Sequence, residues 1–65
     1  MINNAATIAI TIKVTNDRKA LWFIWGDDYA DKHIGKTYTA IIRADGWADS
    51  DEACAKFPPH VFTVA

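Results

Sequence analysis

The sequence predicts a small two-layer α+β domain in which one short helix lies across an antiparallel sheet of three to four strands. Residues 7–14 alternate apolar and polar side chains, and residues 37–43 are rich in β-branched side chains, both of which are typical of strands. Residues 49–57 instead place apolar side chains at helical spacing. A helix this short buries its apolar side only against a sheet. At 65 residues, the chain is expected to form a single domain, residues 1–65.

The amino-terminal part is predicted to form a β-hairpin. Residues 7–14 carry isoleucine or valine at every second position, which is the period of a strand with one buried face. Asn16 and Asp17 suit a turn because their side chains bond to their own backbone, and residues 20–25 are predicted to return as the second strand. Both faces of this strand are apolar, so we expect it to be covered on both sides or to leave one face for a partner.

The middle of the chain is predicted to be a loop followed by a third strand. Residues 26–36 begin with polar and acidic side chains and are expected to hold at most one helical turn, which Gly35 would end. Residues 37–43 form the third strand, and Asp45 with Gly46 is the turn signal that ends it.

The predicted helix begins at Asp49, its N-cap, with Glu52 three positions later at the spacing of a capping box. Pro58 and Pro59 stop this helix because a residue before proline avoids the helical conformation. Residues 61–64 can add a last short strand. The predicted order of elements is therefore β-β-β-α-β.

Composition and charge exclude several classes of protein. The net charge of −1 gives no positive field for nucleic-acid phosphates, so direct nucleic-acid binding is not expected. Cys54 is the only cysteine, which excludes an internal disulfide. Residues 1–4 lack the basic start and apolar run of a signal peptide, and no apolar run is long enough to span a membrane. We therefore expect a cytoplasmic protein.

No catalytic, cofactor-binding or metal site is predicted. Residues 30–37 fit a relaxed phosphate-loop pattern, but a strand is predicted where that loop requires a helix. His33, Cys54 and His60 lack the spacing of metal-binding motifs, and Cys54 is expected to be a small core residue. The chain is therefore predicted not to be an enzyme. An enzyme or ligand-binding protein that uses these three side chains is the alternative.

Acidic side chains and tryptophan indicate a protein partner. Residues 26–65 contain four basic and seven acidic side chains, which favours a partner with a basic surface. Exposed tryptophan is enriched at interface hot spots. The predicted partner-binding residues are Asp27, Asp28 and Asp31 in a first acidic cluster and Asp45, Trp47, Asp49, Asp51 and Glu52 in a second. The alternative for either cluster is a charged face that contacts only solvent. The alternative for Trp47 is a structural role, in which its ring packs over the start of the predicted helix.

Three stretches of the chain carry a resemblance to a known group of proteins. They are the opening MINNAATIAITIKV, the central LWFIWGDDYADKH and the later DSDEACAKFPPH. With them the whole chain resembles the small anti-CRISPR proteins of phages and mobile elements, among them one acting on the type I-C interference complex. The resemblance implies a non-enzymatic inhibitor that binds a protein subunit of the effector and keeps target DNA or a nuclease from engaging. Many inhibitors that mimic DNA are strongly acidic, so a net charge of −1 restricts mimicry to local patches.

The leading hypothesis is a monomeric, stoichiometric inhibitor that presents both acidic clusters to a basic protein groove. The stretch TYTAIIRADGWADSDEACAKFPPHVFTV is also similar in plan to short phage inhibitors of host RNA polymerase. Inhibition of another host machine such as RNA polymerase is therefore one alternative. A structural subunit that forms homodimers through residues 20–25 is another.

Overall fold

The computed structural model describes residues 8–65, which form one helix and one five-stranded antiparallel sheet. The predicted α+β class, with a single helix and an antiparallel sheet, is confirmed. The predicted strand start at Thr7, and residues 1–4, lie outside the described residues. The elements in chain order are β1 (Ala9–Val14), α1 (Arg18–His33), β2 (Thr37–Ile42), β3 (Ala48–Ser50), β4 (Ala55–Phe57), a 3-10 turn (Pro59–Val61) and β5 (Phe62–Val64).

The sheet has the strand order β4-β3-β2-β1-β5, so β4 and β5 are its edges. Ile12 in β1 lies opposite Tyr38 in β2 on one side and opposite Val64 in β5 on the other. Because side chains alternate across a strand, this register sends the buried apolar residues of β1 to β4 to the same face, namely Ile12, Val14, Ala40, Ala48 and Phe57. The period of two in residues 7–14 is thus confirmed for the part that the structure describes.

The core lies between this apolar face and α1. Ile12, Val14 and Phe57 from the sheet pack with Leu21 from the helix, and all four are fully buried. Burying side chains of this size contributes roughly 1.5–3 kcal/mol each to folding. The opposite face of the sheet is exposed and rich in threonine.

Residues 20–25 are helical, so their prediction as a strand is wrong. Asp17 is the N-cap of α1, and its carboxylate accepts hydrogen bonds from the backbone N–H groups of Lys19 and Ala20. This cap satisfies N–H donors that the first helical turn leaves free. The predicted loop at 26–36 is also mostly helical, because α1 continues to His33. Gly35, with φ +67°, follows the end of the helix as predicted.

The helix is broken at Trp25 and Gly26, whose backbone angles are not helical. Gly26 has φ +82° and ψ −164°, a conformation that other residues rarely adopt. The Arg18 guanidinium lies 2.7 Å from the Asp31 carboxylate. In a straight helix these two residues would be about 20 Å apart along the axis. Residues 27–33 therefore fold back beside residues 18–24.

Residues 51–54 form a turn between β3 and β4, and residues 49–50 and 55–57 belong to these strands, so the prediction of residues 49–57 as a helix is wrong. The Ser50 hydroxyl donates to the Thr39 carbonyl oxygen at 2.7 Å, and the Thr39 N–H donates to Glu52 at 2.7 Å. Ser50 and Glu52 therefore bond to the backbone of β2, instead of lying in a helix as the capping-box spacing predicted. Cys54 completes the turn at φ +53°. The predicted last strand is confirmed as β5.

Candidate functional site

Three aromatic side chains project from the break in α1 and form a surface that we call the aromatic ridge. Its members are Trp22, Phe23 and Trp25, with 46%, 70% and 65% of their surface exposed. The rings of Trp22 and Phe23 meet edge to face with their centroids 5.1 Å apart. Large apolar side chains that are exposed together mark interaction surfaces, and tryptophan is prominent among interface hot spots.

The first acidic cluster lies beside this ridge on residues 27–33 of α1. Asp27 and Asp31 form ion pairs with Arg18, at 3.2 and 2.7 Å. The hydrogen bond that Arg18 donates to Asp31, and then the one it donates to Asp27, raises the pKa of Arg18 above its ordinary value. Within residues 8–65, Asp28 has no ion pair. It is therefore the carboxylate of this cluster that is most available to a partner.

The second acidic cluster has local structural contacts. Asp49 pairs with Arg43 at 2.8 Å, and the Asp45 carboxylate accepts the Trp47 N–H at 3.0 Å. Asp51 is exposed in the turn, while Glu52 accepts the Thr39 N–H noted above and Trp47 is half-buried.

Asp49 of the second cluster lies opposite Ile41 on the exposed face of the sheet. The first cluster lies on α1, close after the aromatic ridge in the sequence. Presentation of both clusters to one groove of a partner stays a prediction, and the first cluster is the one that borders the aromatic ridge.

A groove of about 490 Å³ lies between residues 27–33 of α1 and the edge strand β4. The Trp25 and Tyr29 rings stand at 61° with centroids 5.6 Å apart, and the Tyr29 and His33 centroids are 5.0 Å apart. Its lining residues are Trp25, Asp28, Tyr29, Lys32, His33, Cys54, Ala55 and Lys56. The Tyr29 and His33 spacing of four in the sequence was a usable sign that they share one helix side.

Two buried titratable side chains form the inner wall of the groove. His33 is only 3% exposed, and its Nδ1 lies 2.8 Å from the Tyr38 hydroxyl. Burial, and then the charge of Lys32, lowers the pKa of His33 below its ordinary value. Burial, and then Tyr38, raises the pKa of Tyr29 to about 12. Both side chains are therefore neutral near pH 7.

His33, Cys54 and His60 are not assembled into one site. Cys54 is exposed, contrary to its predicted place in the core, and shares the groove with His33. His60 lines a separate depression with Lys13 and Phe62. The residues after the phosphate-loop pattern form β2, and the described residues hold no cluster of three or more side chains suited to a metal ion.

Three comparisons with known proteins complete this description. A scan against family models, a search of curated proteins and a search of solved structures were made. None gave a match. Over residues 8–65, α1 lacks the length and apolar content that crossing a membrane requires.

Proposed function

We propose that the chain is a non-enzymatic protein-binding module that acts as a stoichiometric inhibitor and docks through its aromatic ridge. The supporting observation is the joint exposure of Trp22, Phe23 and Trp25 at the break of α1. Leu21, one residue before the ridge, is fully buried. It fixes this part of the helix to the core, so the ridge is presented on a rigid support.

The chemistry beside the ridge specifies the partner surface. Asp27 and Asp28 follow the ridge directly, and the Asp27 carboxylate is already oriented by Arg18. A fitting partner has an apolar recess for the aromatic rings and a basic rim for the carboxylates. The acidic rim would speed encounter with such a surface, while the buried rings would supply most of the affinity.

Within this class, we propose an anti-CRISPR inhibitor that binds a protein subunit of a type I-C interference complex in the host cytoplasm. The resemblance of the three sequence stretches supports this target. Blocking either target DNA binding or nuclease recruitment would require only a tight contact and no catalytic group. Another host machine such as RNA polymerase is the second candidate target.

A homodimer is the second candidate function, and the aromatic ridge itself favours it. Three exposed rings can pack against their symmetry copies across a two-fold axis. Sedimentation at several protein concentrations distinguishes the two functions. If the mass is that of a monomer even at about 100 μM, a hundredfold above a micromolar dissociation constant, the result supports the inhibitor. A dimer whose fraction rises with protein concentration supports the structural module.

An affinity pull-down from bacteria that express a type I-C interference complex tests the proposed function. The tagged chain should retain an effector subunit at near-equal stoichiometry, as identified by mass spectrometry. Retention of RNA polymerase instead would keep the inhibitor class and remove the anti-CRISPR target. Retention of no protein would contradict the proposed function.

Charge-reversal variants locate the contact in the same pull-down. Asp28→Lys should weaken retention because it places a positive charge at the basic rim of the partner, and it leaves both Arg18 ion pairs intact. Asp51→Lys is the matched control, since Asp51 is exposed in the turn after β3. Reversal of Asp27, Asp28 and Asp31 together should abolish retention, with circular dichroism to check the fold.

A further inference from the structure

The groove between α1 and β4 contains chemistry that protein docking through the aromatic ridge does not use. Of the residues proposed to contact the partner, Trp25 and Asp28 also line the groove. The volume of about 490 Å³ falls within the range of small-molecule sites. Its lining combines aromatic rings with six ionisable side chains on the described part of the chain, so the ligand class can be read from their arrangement.

The walls of the groove suit a flat ring. Trp25 and Tyr29 meet at 61° with centroids 5.6 Å apart, and Tyr29 and His33 meet at 68° with centroids 5.0 Å apart. A planar ligand can lie against one ring face while its own face receives the edge of the next ring, and both arrangements are favourable between aromatic groups. The Tyr29 hydroxyl is committed to the Lys56 carbonyl oxygen, so Tyr29 offers its ring rather than a polar atom.

The charged groups around the groove favour an anion. Lys32 and Lys56 each contribute an ammonium group, against the single carboxylate of Asp28. Within residues 8–65, neither lysine forms an ion pair with an acidic side chain. Ammonium groups bind carboxylates through charge-assisted hydrogen bonds.

His33 adds a neutral ring to the same wall. Its Nδ1 lies 2.8 Å from the Tyr38 hydroxyl, which also donates to the Lys32 carbonyl oxygen at 3.5 Å. His33 is thus held in place by Tyr38 and adds no charge to the groove near pH 7. The charge of the groove is therefore set by Lys32, Lys56 and Asp28.

We infer that this groove binds a small planar aromatic carboxylate. Its ring would pack against the groove side of Trp25 and Tyr29, whose rings already contact each other, and its carboxylate would lie toward Lys32 and Lys56. This inference does not depend on the proposed inhibitor function, because the ring of Phe23 and its neighbour Trp22 are not part of the groove.

Isothermal titration calorimetry with 2-naphthoate and its uncharged match 2-naphthamide tests the inference. The carboxylate should bind about tenfold more tightly than the amide, because the charge-assisted contacts are lost in the amide. Lys32→Gln/Lys56→Gln should remove this difference, whereas the control Lys19→Gln/Lys36→Gln, outside the groove, should keep it. Naphthoate should also shift the backbone NMR signals of residues 28–33 and 54–56.

Two results would overturn the inference. One is equal binding, or no binding, of the two compounds to the wild-type chain. The other is a preference for the carboxylate that survives in the Lys32→Gln/Lys56→Gln variant. Phe23→Ser should bind naphthoate as the wild type does, because Phe23 does not line the groove. Failure of the proposed docking through the ridge can therefore be distinguished from failure of the groove inference.

Discussion

The Tyr29 hydroxyl donates a 2.7 Å hydrogen bond to the carbonyl oxygen of Lys56. Lys56 is the middle residue of the edge strand β4, and an uncovered edge invites pairing with other chains. The bond thus joins the second part of α1 to the sheet and occupies a backbone acceptor at its edge.

Tyr29→Phe should lower the free energy of unfolding by about 1 kcal/mol, because it removes this bond and keeps the ring packed. Urea denaturation at pH 7 measures the loss. The pKa of Tyr29 in the fold is about 12, against about 10 in an unfolded chain. The fold therefore favours the protonated phenol, and its contribution is lost as pH rises from 10 to 12. Tyr29→Phe should lack this alkaline loss, and an identical loss in both proteins would contradict the assignment.

His33 should make the fold sensitive to mild acid. Burial lowers the pKa of His33 in the fold, so the unfolded chain binds more protons once the pH falls below about 6.5. Stability is therefore retained above pH 6.5 and lost as the pH falls toward the lowered pKa. Urea midpoints from pH 7.5 to 5.5 should fall for the wild type and less for His33→Phe. His60→Gln, at an exposed position, should follow the wild type, and a flat wild-type profile would argue against the effect.

Ser50→Ala should cost about 2 kcal/mol of unfolding free energy, because two backbone groups lose their partner near a buried position. The Ser50 hydroxyl donates to the Thr39 carbonyl oxygen at 2.7 Å and accepts the Ala53 N–H at 3.1 Å. Chemical denaturation measures the change. Thr63→Ala, on the exposed face of β5, is the control and should change stability by less than about 0.5 kcal/mol. Equal effects of the two substitutions would show that the Ser50 bonds contribute little.

Gly26→Ala should destabilise the protein through its backbone alone. No atom lies within 4 Å of a Cβ built at this position, yet φ is +82°, which costs an alanine about 1–2 kcal/mol. Thermal unfolding should show the loss, with Lys19→Ala as a control within the same helix. Unchanged stability would mean that the break in α1 tolerates a residue other than glycine.

The strands with one buried face were predictable because their side-chain alternation reflects burial directly. Residues 37–43 and 61–64 became β2 and β5 with small shifts at their ends. Asp17 was assigned to a turn although it is the N-cap of α1, and the apolar run at residues 20–25 was assigned to a strand. That run is apolar on every side because part of it remains exposed as the aromatic ridge.

The turn between β3 and β4 was not predictable from local spacing. Asp49 and Glu52 fit a capping box, but the bonds of Ser50 and Glu52 to Thr39 join positions more than ten residues apart. Such tertiary contacts override local preference. The groove was missed for the same reason, because Tyr29 and Cys54 meet only when α1 folds back on the sheet.

The affinity of a ridge variant for the protein retained in the pull-down decides whether the aromatic ridge is the docking surface. Phe23→Ser/Trp25→Ser should weaken binding about 100-fold, as expected for the loss of two hot-spot rings. The matched control Ile8→Ser/Val64→Ser replaces two apolar side chains of similar exposure, 69% and 63%, and should bind like the wild type. Calorimetric titration measures all three dissociation constants. Wild-type affinity in the ridge variant would contradict docking through the ridge.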